Sequence, residues 1–419
     1  MEVRHRVNFP IKLLLVTLSI TSFLVFPMIQ GTTISYLLCF FIFFYAVFLD
    51  KNRGVLFYKD IVITIFIIFL VTLLAQLFLS FSGIISFNEY QLKMIDKLDN
   101  NVLFRQSMFT QLLYLLAVIF FFYFTKYFYT VEWDKYLFYG INALCIYGIY
   151  EFLYFLIFKE NGDFLSNRKF GSNMNISGSL FQGMEIGPFT LQRIKSLTGE
   201  PSMFAFSTIP FFYYAFFTKR YKSSILLFIT NLLSFSTTAY LGIIIFIIYI
   251  ILKTKKYLKI IYLFTFSSIL LLWIIGFEKI GKYIYDAILR KLLTDSVSTV
   301  NRASSMVEHL NFFLDMPFFN KVFGIGFGYV RSSDYFSSIL INNGILGFLV
   351  LTILFFYPII KISNLSNRII SLKLSLVFSY IAMMIAVPEF AYLTSWLFLG
   401  MVYNLIWKNN IDRKSNLKY

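Results

Sequence analysis

A chain of 419 residues that is 58% hydrophobic, 21% aromatic and only 14% charged is excluded from the soluble globules, which carry about a quarter of their residues as Asp, Glu, Lys or Arg. Lys and Arg number 37 against 21 Asp and Glu, a formal net charge of +16. On so apolar a chain this excess reads as membrane topology and attraction to anionic headgroups, and nucleic acid is excluded as a partner.

Apolar runs of about 17 to 25 residues, enough to cross about 30 Å of hydrocarbon as helix, predict twelve spans. They lie near 11–28, 33–49, 61–81, 108–125, 137–158, 201–217, 224–235, 238–252, 260–276, 337–357, 371–387 and 391–407. The first follows a basic start, and Phe26-Pro27-Met28 lacks the small residues of a cleavage site, so this span is expected to stay in the membrane. The seventh and eighth are short, and Leu233-Ser234-Phe235-Ser236-Thr237-Thr238 between them reads as a reversal or as a kink in one long helix. Charge decides. With the reversal, Arg4, Arg6 and Lys12, then Lys51, Arg53 and Lys59, Lys219, Arg220 and Lys222, Lys253, Lys255, Lys256 and Lys259, Lys361, Arg368 and Lys373, and Lys408, Arg413 and Lys414 all fall on one side. That side is the cytoplasm by the positive-inside rule, and both termini share it. Cys39 and Cys145 fall inside apolar spans and offer neither a disulfide nor a metal site. The expected fold class is an all-α polytopic membrane protein, a single domain over 1–419.

The opposite face receives 82–107 and two longer loops, 159–200 and 277–336. Long polar segments are costly in such a chain unless they work, which directs the search for function to these two. In 159–200, Gly162, Gly171, Gly178, Gly183 and Gly187 among Asn and Ser predict turns rather than a long helix. In the other loop Ile280, Tyr283, Ile284, Ala287 and Ile288 recur at helical spacing, as do Val307, Leu310, Phe313 and Leu314. Short amphipathic helices are therefore expected to lie flat over the membrane-facing core.

Four constellations stand out. Arg193 and Lys195 precede Thr198-Gly199-Glu200-Pro201-Ser202, with Thr198 the expected N-cap, Pro201 in the first turn and Glu200 at the positive helix end. A capped helix explains the motif without function, yet both cations would also sit just above the membrane, where a lipid-linked pyrophosphate lies. In the second, Arg302, Met306 and His309 share one helix face with Ser305 near it, while Ser304 and Glu308 take the neighbouring face. His309 is the only imidazole outside the cytoplasmic tail, which holds His5. The third, Gly324-x-Gly326-x-Gly328, lacks the strand that precedes a dinucleotide loop and instead lets backbone lie close to a ligand or to the bundle surface. The fourth is Glu151, mid-span in the fifth helix, which is either functional or half of a structural pair with an Arg.

Taken in order, the Thr198-Gly199-Glu200-Pro201-Ser202 turn, the Ser234-Phe235-Ser236-Thr237-Thr238 hairpin, Arg302 followed by Pro317 and Gly324-x-Gly326-x-Gly328, and Asn343-Gly344-Ile345-Leu346-Gly347 resemble the bacterial O-antigen and capsule polysaccharide polymerase family called Wzy. That family shares a superfamily with the O-antigen ligases (WaaL), and the resemblance covers roughly 193–347. Ligases place a His eleven residues before the glycine that matches Gly344; here that place is Ser333, followed by Asp334. The departure favours polymerase and leaves the general base open.

The resemblance implies a glycosyltransferase of lipopolysaccharide biosynthesis in the bacterial inner membrane. It would transfer an undecaprenyl-pyrophosphate-linked glycan onto the hydroxyl of a lipid-linked repeat unit at the periplasmic face, without a cofactor, amid membrane lipid and with a chain-length regulator protein as a further partner. Pyrophosphate departs already anionic, so Arg193 and Arg302 would stabilise its growing charge, with Lys195, Arg290 and Arg331 as further contacts. Gly324, Gly326, Gly328 and Asp334 would complete the substrate site. The hydroxyl would be assisted by Glu200, Glu308, His309 or Asp334; the carboxylates Glu200 and Glu308 are favoured because a hydroxyl attacking an oxocarbenium-like centre loses its proton late. The alternatives are an O-antigen ligase, a lipid-linked oligosaccharide flippase and a scaffold without chemistry. A flippase predicts internal repeats and midplane polar residues, and only Glu151 answers that description.

Overall fold

Helices carry most of the chain: α1 (Phe9–Thr17), α2 (Ile34–Leu49), α3 (Lys51–Phe81), α4 (Gln106–Phe128), α5 (Trp133–Phe158), α6 (Pro201–Phe217), α7 (Tyr221–Leu233), α8 (Thr237–Lys253), α9 (Val297–Asp315), α10 (Phe318–Phe323), α11 (Tyr335–Lys361), α12 (Asn367–Ile385) and α13 (Leu393–Asn416). The structure is a computed structural model that describes residues 7–82, 92–96, 99, 101–168, 182–186, 189–253, 297–363 and 366–416. The expected span over 260–276, the helical pattern over 280–288 and Arg290 lie outside the described residues.

The solvent for these helices is lipid. On α3, Val62, Phe66, Phe69 and Leu70 are 43–63% exposed, a surface that water would penalise and hydrocarbon does not. Among the described residues α3, α4, α5, α11 and α12 are long and apolar enough to cross a membrane, and α2, α7 and α8 are shorter apolar helices. The chain is thus membrane-embedded. Its core is aromatic: α4 lies against α13, and α6 lies against α12 and α7, with Phe124, Phe204, Phe206, Phe211 and Phe398 buried between them.

Contacts settle the short pair α7 and α8. Along α6, Thr208 bonds Asn231 and Phe212 meets Phe228, so α7 runs antiparallel to it. Tyr213 donates to the Gly242 carbonyl, Phe216 meets Phe246 and Phe217 meets Tyr249, so α8 runs alongside α6 in the same direction. The chain therefore reverses at Phe235, where φ is +45°, as the charge pattern required. The two ends of the described chain then share one end of the bundle: Asn8 bonds Tyr45 near the close of α2, and Asn404 bonds the Lys126 carbonyl near the close of α4. Arg53 lies over the Trp407 ring at that same end, 5.7 Å from its centroid.

Three expectations change. The helix expected over 11–28 stops at Thr17, because the hydroxyls that follow find other partners. Ser22 bonds Ser166, Thr21 bonds the Thr198 carbonyl, and the backbone amides of both residues donate to the Leu197 carbonyl. The loop before α6 holds an antiparallel two-stranded sheet, β1 (Gly183–Ile186) with β2 (Phe189–Gln192), pairing Gly183 with Gln192 and Ile186 with Phe189. An all-α reading missed it, although Met184-Glu185-Ile186 and Phe189-Thr190-Leu191-Gln192 alternate apolar and polar across a Gly-Pro turn. On α9 Ser305, His309 and Phe312 are buried with Met316 just beyond it, and the helix packs on α11; of the expected apolar face Phe313 is buried and Leu310 packs against the same core, while Val307 and Leu314 are 55% and 63% exposed. Periodicity found the core-facing Leu310 and Phe313 but missed the polar Ser305 and His309 buried beside them.

Candidate functional site

All the constellations that the structure describes gather at the bundle end remote from the Arg53 and Arg368 clusters, and they divide into sealed groups and one open cavity. Lys195 is sealed. Its side chain is 0% exposed, and its ammonium bonds Asp163 at 2.5 Å and faces Glu151 at 3.6 Å. Glu151 also accepts from the Ser196 amide, and Asp163 from the Ser166 amide. This corrects two expectations: Lys195 has no surface to offer a substrate, and the partner of Glu151 is a Lys rather than an Arg. A neighbouring correction is the helix cap. Thr198 spends its hydroxyl on the Lys195 carbonyl, and Glu200 takes the N-cap position of α6, half-exposed and making no side-chain cap.

Arg193 acts as a clamp, its guanidinium donating to the Ser234 carbonyl and to Gln182 Oε1, so it ties the foot of the β-hairpin to the α7–α8 turn. Asp334 is 3% exposed and caps α11, accepting from the Ser337 amide at 2.7 Å and from the Ser332 and Ser337 hydroxyls at 2.9 Å each. A carboxylate so occupied holds a helix start and is not free for substrate, which corrects its assignment. Arg302 lies in the first turns of α9.

The glycine run also serves the fold. A Cβ on Gly324 would stand 2.3 Å from the Asn342 carbonyl oxygen, and one on Gly344 would stand 2.3 Å from that of Val322. Gly344, at φ +67° and ψ −171°, interrupts α11, and the freed carbonyls of Ile341 and Asn342 accept from the Ile325 and Gly326 amides. Of the two uses for close backbone approach, Gly324 and Gly326 take the packing one. Gly328 alone of the three lines a recess, one that also borders Arg331. Nearby, His309 is buried; its Nδ1 lies 2.6 Å from the Ser305 carbonyl, and Nε2 has no partner among the described residues. Burial pushes its pKa below the ordinary imidazole value, opposed by the Ser305 carbonyl and by Asp334. Glu308 next to it is half-exposed.

The open site is a polar cavity of about 80 Å³ lined by Thr21, Tyr36, Gln111, Tyr114, Arg168, Met203, Arg331, Glu389 and Tyr392. Arg331 bonds Glu389 at 2.9 Å with the two side chains 51% and 20% exposed. Glu389 holds the guanidinium in its charged form; burial opposes it, and Tyr392 and Glu200 act in the same direction as Glu389. Arg168 donates to the Thr21 carbonyl at 3.1 Å. Tyr36 stands edge-on to Tyr114 and fixes the wall by donating to the Ala391 carbonyl. Arg331 is positioned by its own amide, which donates to the Lys93 carbonyl, and by Asn342, which clasps both backbone groups of Val330.

Of the sequence candidates, then, Arg331 lines the cavity, Glu200 acts on Arg331 electrostatically and Gly328 lines the adjoining recess, while Arg193, Lys195, Asp334, Gly324 and Gly326 go to structural work. Sequence reasoning missed Arg168 and Glu389. A signal existed for Glu389: it is the one acid between the apolar runs 371–387 and 391–407, just after Pro388, where a charge calls for a reason. No family model, curated protein or solved structure matches the chain.

Proposed function

We propose that the protein is an O-antigen or capsular polysaccharide polymerase, with twelve spans and cytoplasmic termini in the bacterial inner membrane and its cavity at the periplasmic face. The observation that carries this reading is the open Arg331–Glu389 pair, walled by tyrosines and Arg168, at the bundle end away from the Lys and Arg clusters that mark the cytoplasmic side. Arg168 and Arg331 against Glu389 and Glu200 leave these four groups with no net charge, so an anion is admitted by exchange. A pyrophosphate takes Arg331 from Glu389, and the freed carboxylate becomes the acceptor for a hydroxyl proton.

The chemistry follows. The bond between the anomeric carbon of the growing chain and pyrophosphate breaks, its electron pair leaving with a phosphate oxygen that Arg331 and Arg168 stabilise. The hydroxyl oxygen of the incoming repeat unit bonds to that carbon, and its proton passes to Glu389. The rings of Tyr36, Tyr114 and Tyr392 offer flat walls to the sugars. This moves the base from Glu200 and Glu308 to Glu389, because Glu389 is the carboxylate paired to a cation inside the cavity.

Purified protein in proteoliposomes supplied with one undecaprenyl-pyrophosphate-linked repeat unit tests it. The expected products are a ladder of longer lipid-linked glycans and one undecaprenyl pyrophosphate released per bond formed. Movement of the unchanged repeat unit across the bilayer without a ladder would replace this reading with a flippase, and transfer onto added lipid A core without a ladder would replace it with a ligase.

A further inference from the structure

Between α3 and α4 the chain turns back over the glycine run, and residues 92–96 lie as a strap along Tyr329, Val330 and Arg331. Met94 pairs with Val330 in the antiparallel sense; the Ile95 amide donates to the Tyr329 carbonyl at 3.0 Å, and the Arg331 amide to the Lys93 carbonyl at 2.9 Å. Ile95 also walls the recess beside Arg331. The strap is held in turn by Arg105, which is 5% exposed. Its guanidinium donates to the Asp96 carbonyl and, at 3.1 Å, to that of Asn101, and it lies over the Tyr329 ring, 5.9 Å from the centroid. Tyr329 is buried, with its hydroxyl 2.8 Å from the Val102 carbonyl. Phe104 precedes Arg105 at φ +48°, a left-handed conformation that a Phe adopts only where its surroundings hold it, and its amide donates to Gln76 Oε1 at 2.8 Å.

We propose that Arg105 is a positioning residue for Arg331, acting through the strap. That the anion at Arg331 is a pyrophosphate and the reaction chain growth rests on the polymerase reading; the coupling of Arg105 to Arg331 does not. The hydrogen bonds of Arg105 go to backbone carbonyls, and its Nε has no partner among the described residues. An apolar side chain would fill the same space at lower cost, because a guanidinium buried against carbonyls alone loses more hydration than it regains. What the planar fork supplies is geometry, fixing the Asp96 and Asn101 carbonyls and the Tyr329 ring relative to one another. Register matters here: side chains alternate along an extended pair, so a slip of one residue would turn Arg331 away from Glu389. Asn342 clasps Val330 from the other edge, which leaves the strap to hold the Arg331 amide itself. Displacing a charge-stabilising group by about 1 Å costs up to about a hundredfold in rate.

The test uses the full-length protein in phospholipid nanodiscs, inorganic pyrophosphate as the probe and a reversible clamp on the strap. Met94 and Val330 are the non-hydrogen-bonded pair of their bridge and share one small core; such pairs stand about 4.5 Å apart at Cα, within disulfide reach. Cys39 and Cys145 are buried and leave an engineered pair undisturbed. Arg105→Gln is expected to weaken pyrophosphate binding about tenfold and to speed amide exchange over 92–96 and 329–331. Adding Met94→Cys and Val330→Cys restores both when the pair is oxidised and loses them again on reduction, a reversal that a general loss of stability would not show. If Arg105→Gln does not fold, Arg105→Lys, which keeps the cation without the fork, carries the same test with a smaller loss. Parental pyrophosphate affinity in the Arg105 variant, or a weakened affinity that oxidation does not restore, overturns the proposal. Affinity restored by the clamp in a protein that forms no ladder would sink the polymerase reading and keep the positioning role, and a ladder from Arg105→Gln at the parental rate would do the reverse.

Discussion

Two cation–carboxylate groupings lie at the same end of the bundle and are built to opposite purposes. Lys195, Glu151 and Asp163 each keep no more than 1% of their side-chain surface, and each carboxylate also receives a backbone amide. The Arg331 side chain is 51% exposed and bonds one carboxylate, Glu389, at the wall of a cavity. Removal from water makes the first grouping dependent on every member, since a buried charge left alone keeps its desolvation cost without its compensation. Access to water makes the second nearly free to rearrange, because an exposed pair contributes about 0–1 kcal/mol. A ligand competes for the second and not for the first.

The largest expected effect breaks the sealed grouping. Lys195→Met strands Asp163 and Glu151 and should cost about 3–5 kcal/mol of stability, read as a large drop in the unfolding temperature of the detergent-purified protein. Neutralising the carboxylates as well, with Asp163→Asn and Glu151→Gln, should restore most of it. A Lys195→Met protein as stable as the parent would remove the distinction between the two groupings.

Arg331→Ala sharpens the comparison from the other side. Its stability should change by less than about 1 kcal/mol, while chain growth slows on the order of a hundredfold, about 3 kcal/mol of lost charge stabilisation. Arg331→Lys should recover only part of the rate, because a planar fork becomes a point charge. An Arg331→Ala variant that melts as early as Lys195→Met would show that the cavity pair is structural.

The smallest effect belongs to His309, which fits neither class: buried like Lys195, but carrying no opposite charge at bonding distance among the described residues. Burial lowers its folded-state pKa below the ordinary value near 6.5. Between those two values the unfolded chain binds more protons than the folded one, so stability is fully present above the ordinary value and is lost as the pH falls towards the depressed one. The unfolding temperature should therefore rise from pH 5 to pH 7, and His309→Asn should flatten that rise. An unchanged slope in the variant would assign the pH dependence to other groups.

How much was legible beforehand differs by kind of residue. Apolar length alone located the second to eighth and the eleventh to thirteenth helices, because a helix in lipid must satisfy its backbone internally and little else competes. Loop charge alone recovered the reversal at Phe235, where φ is +45°, since basic residues collect on one face whatever the packing. Hydroxyl-rich segments were less readable: Thr21 and Ser22 look compatible with a helix until Thr198 and Ser166, well over a hundred positions away, take their hydrogen bonds.

Composition, the places of the apolar helices among the described residues and the reversal between α7 and α8 follow from the sequence by itself, because they depend on the solvent and on neighbours along the chain. The use of each charge does not. Lys195 and Arg331 are both cations in polar segments beside apolar helices, and nothing in their local letters says that Asp163 and Glu151 close over one while Glu389 bonds the other at the wall of an open cavity. Desolvation is set by everything packed around a group, so tertiary structure alone decided which cation is locked into the scaffold and which one is left for a ligand to claim.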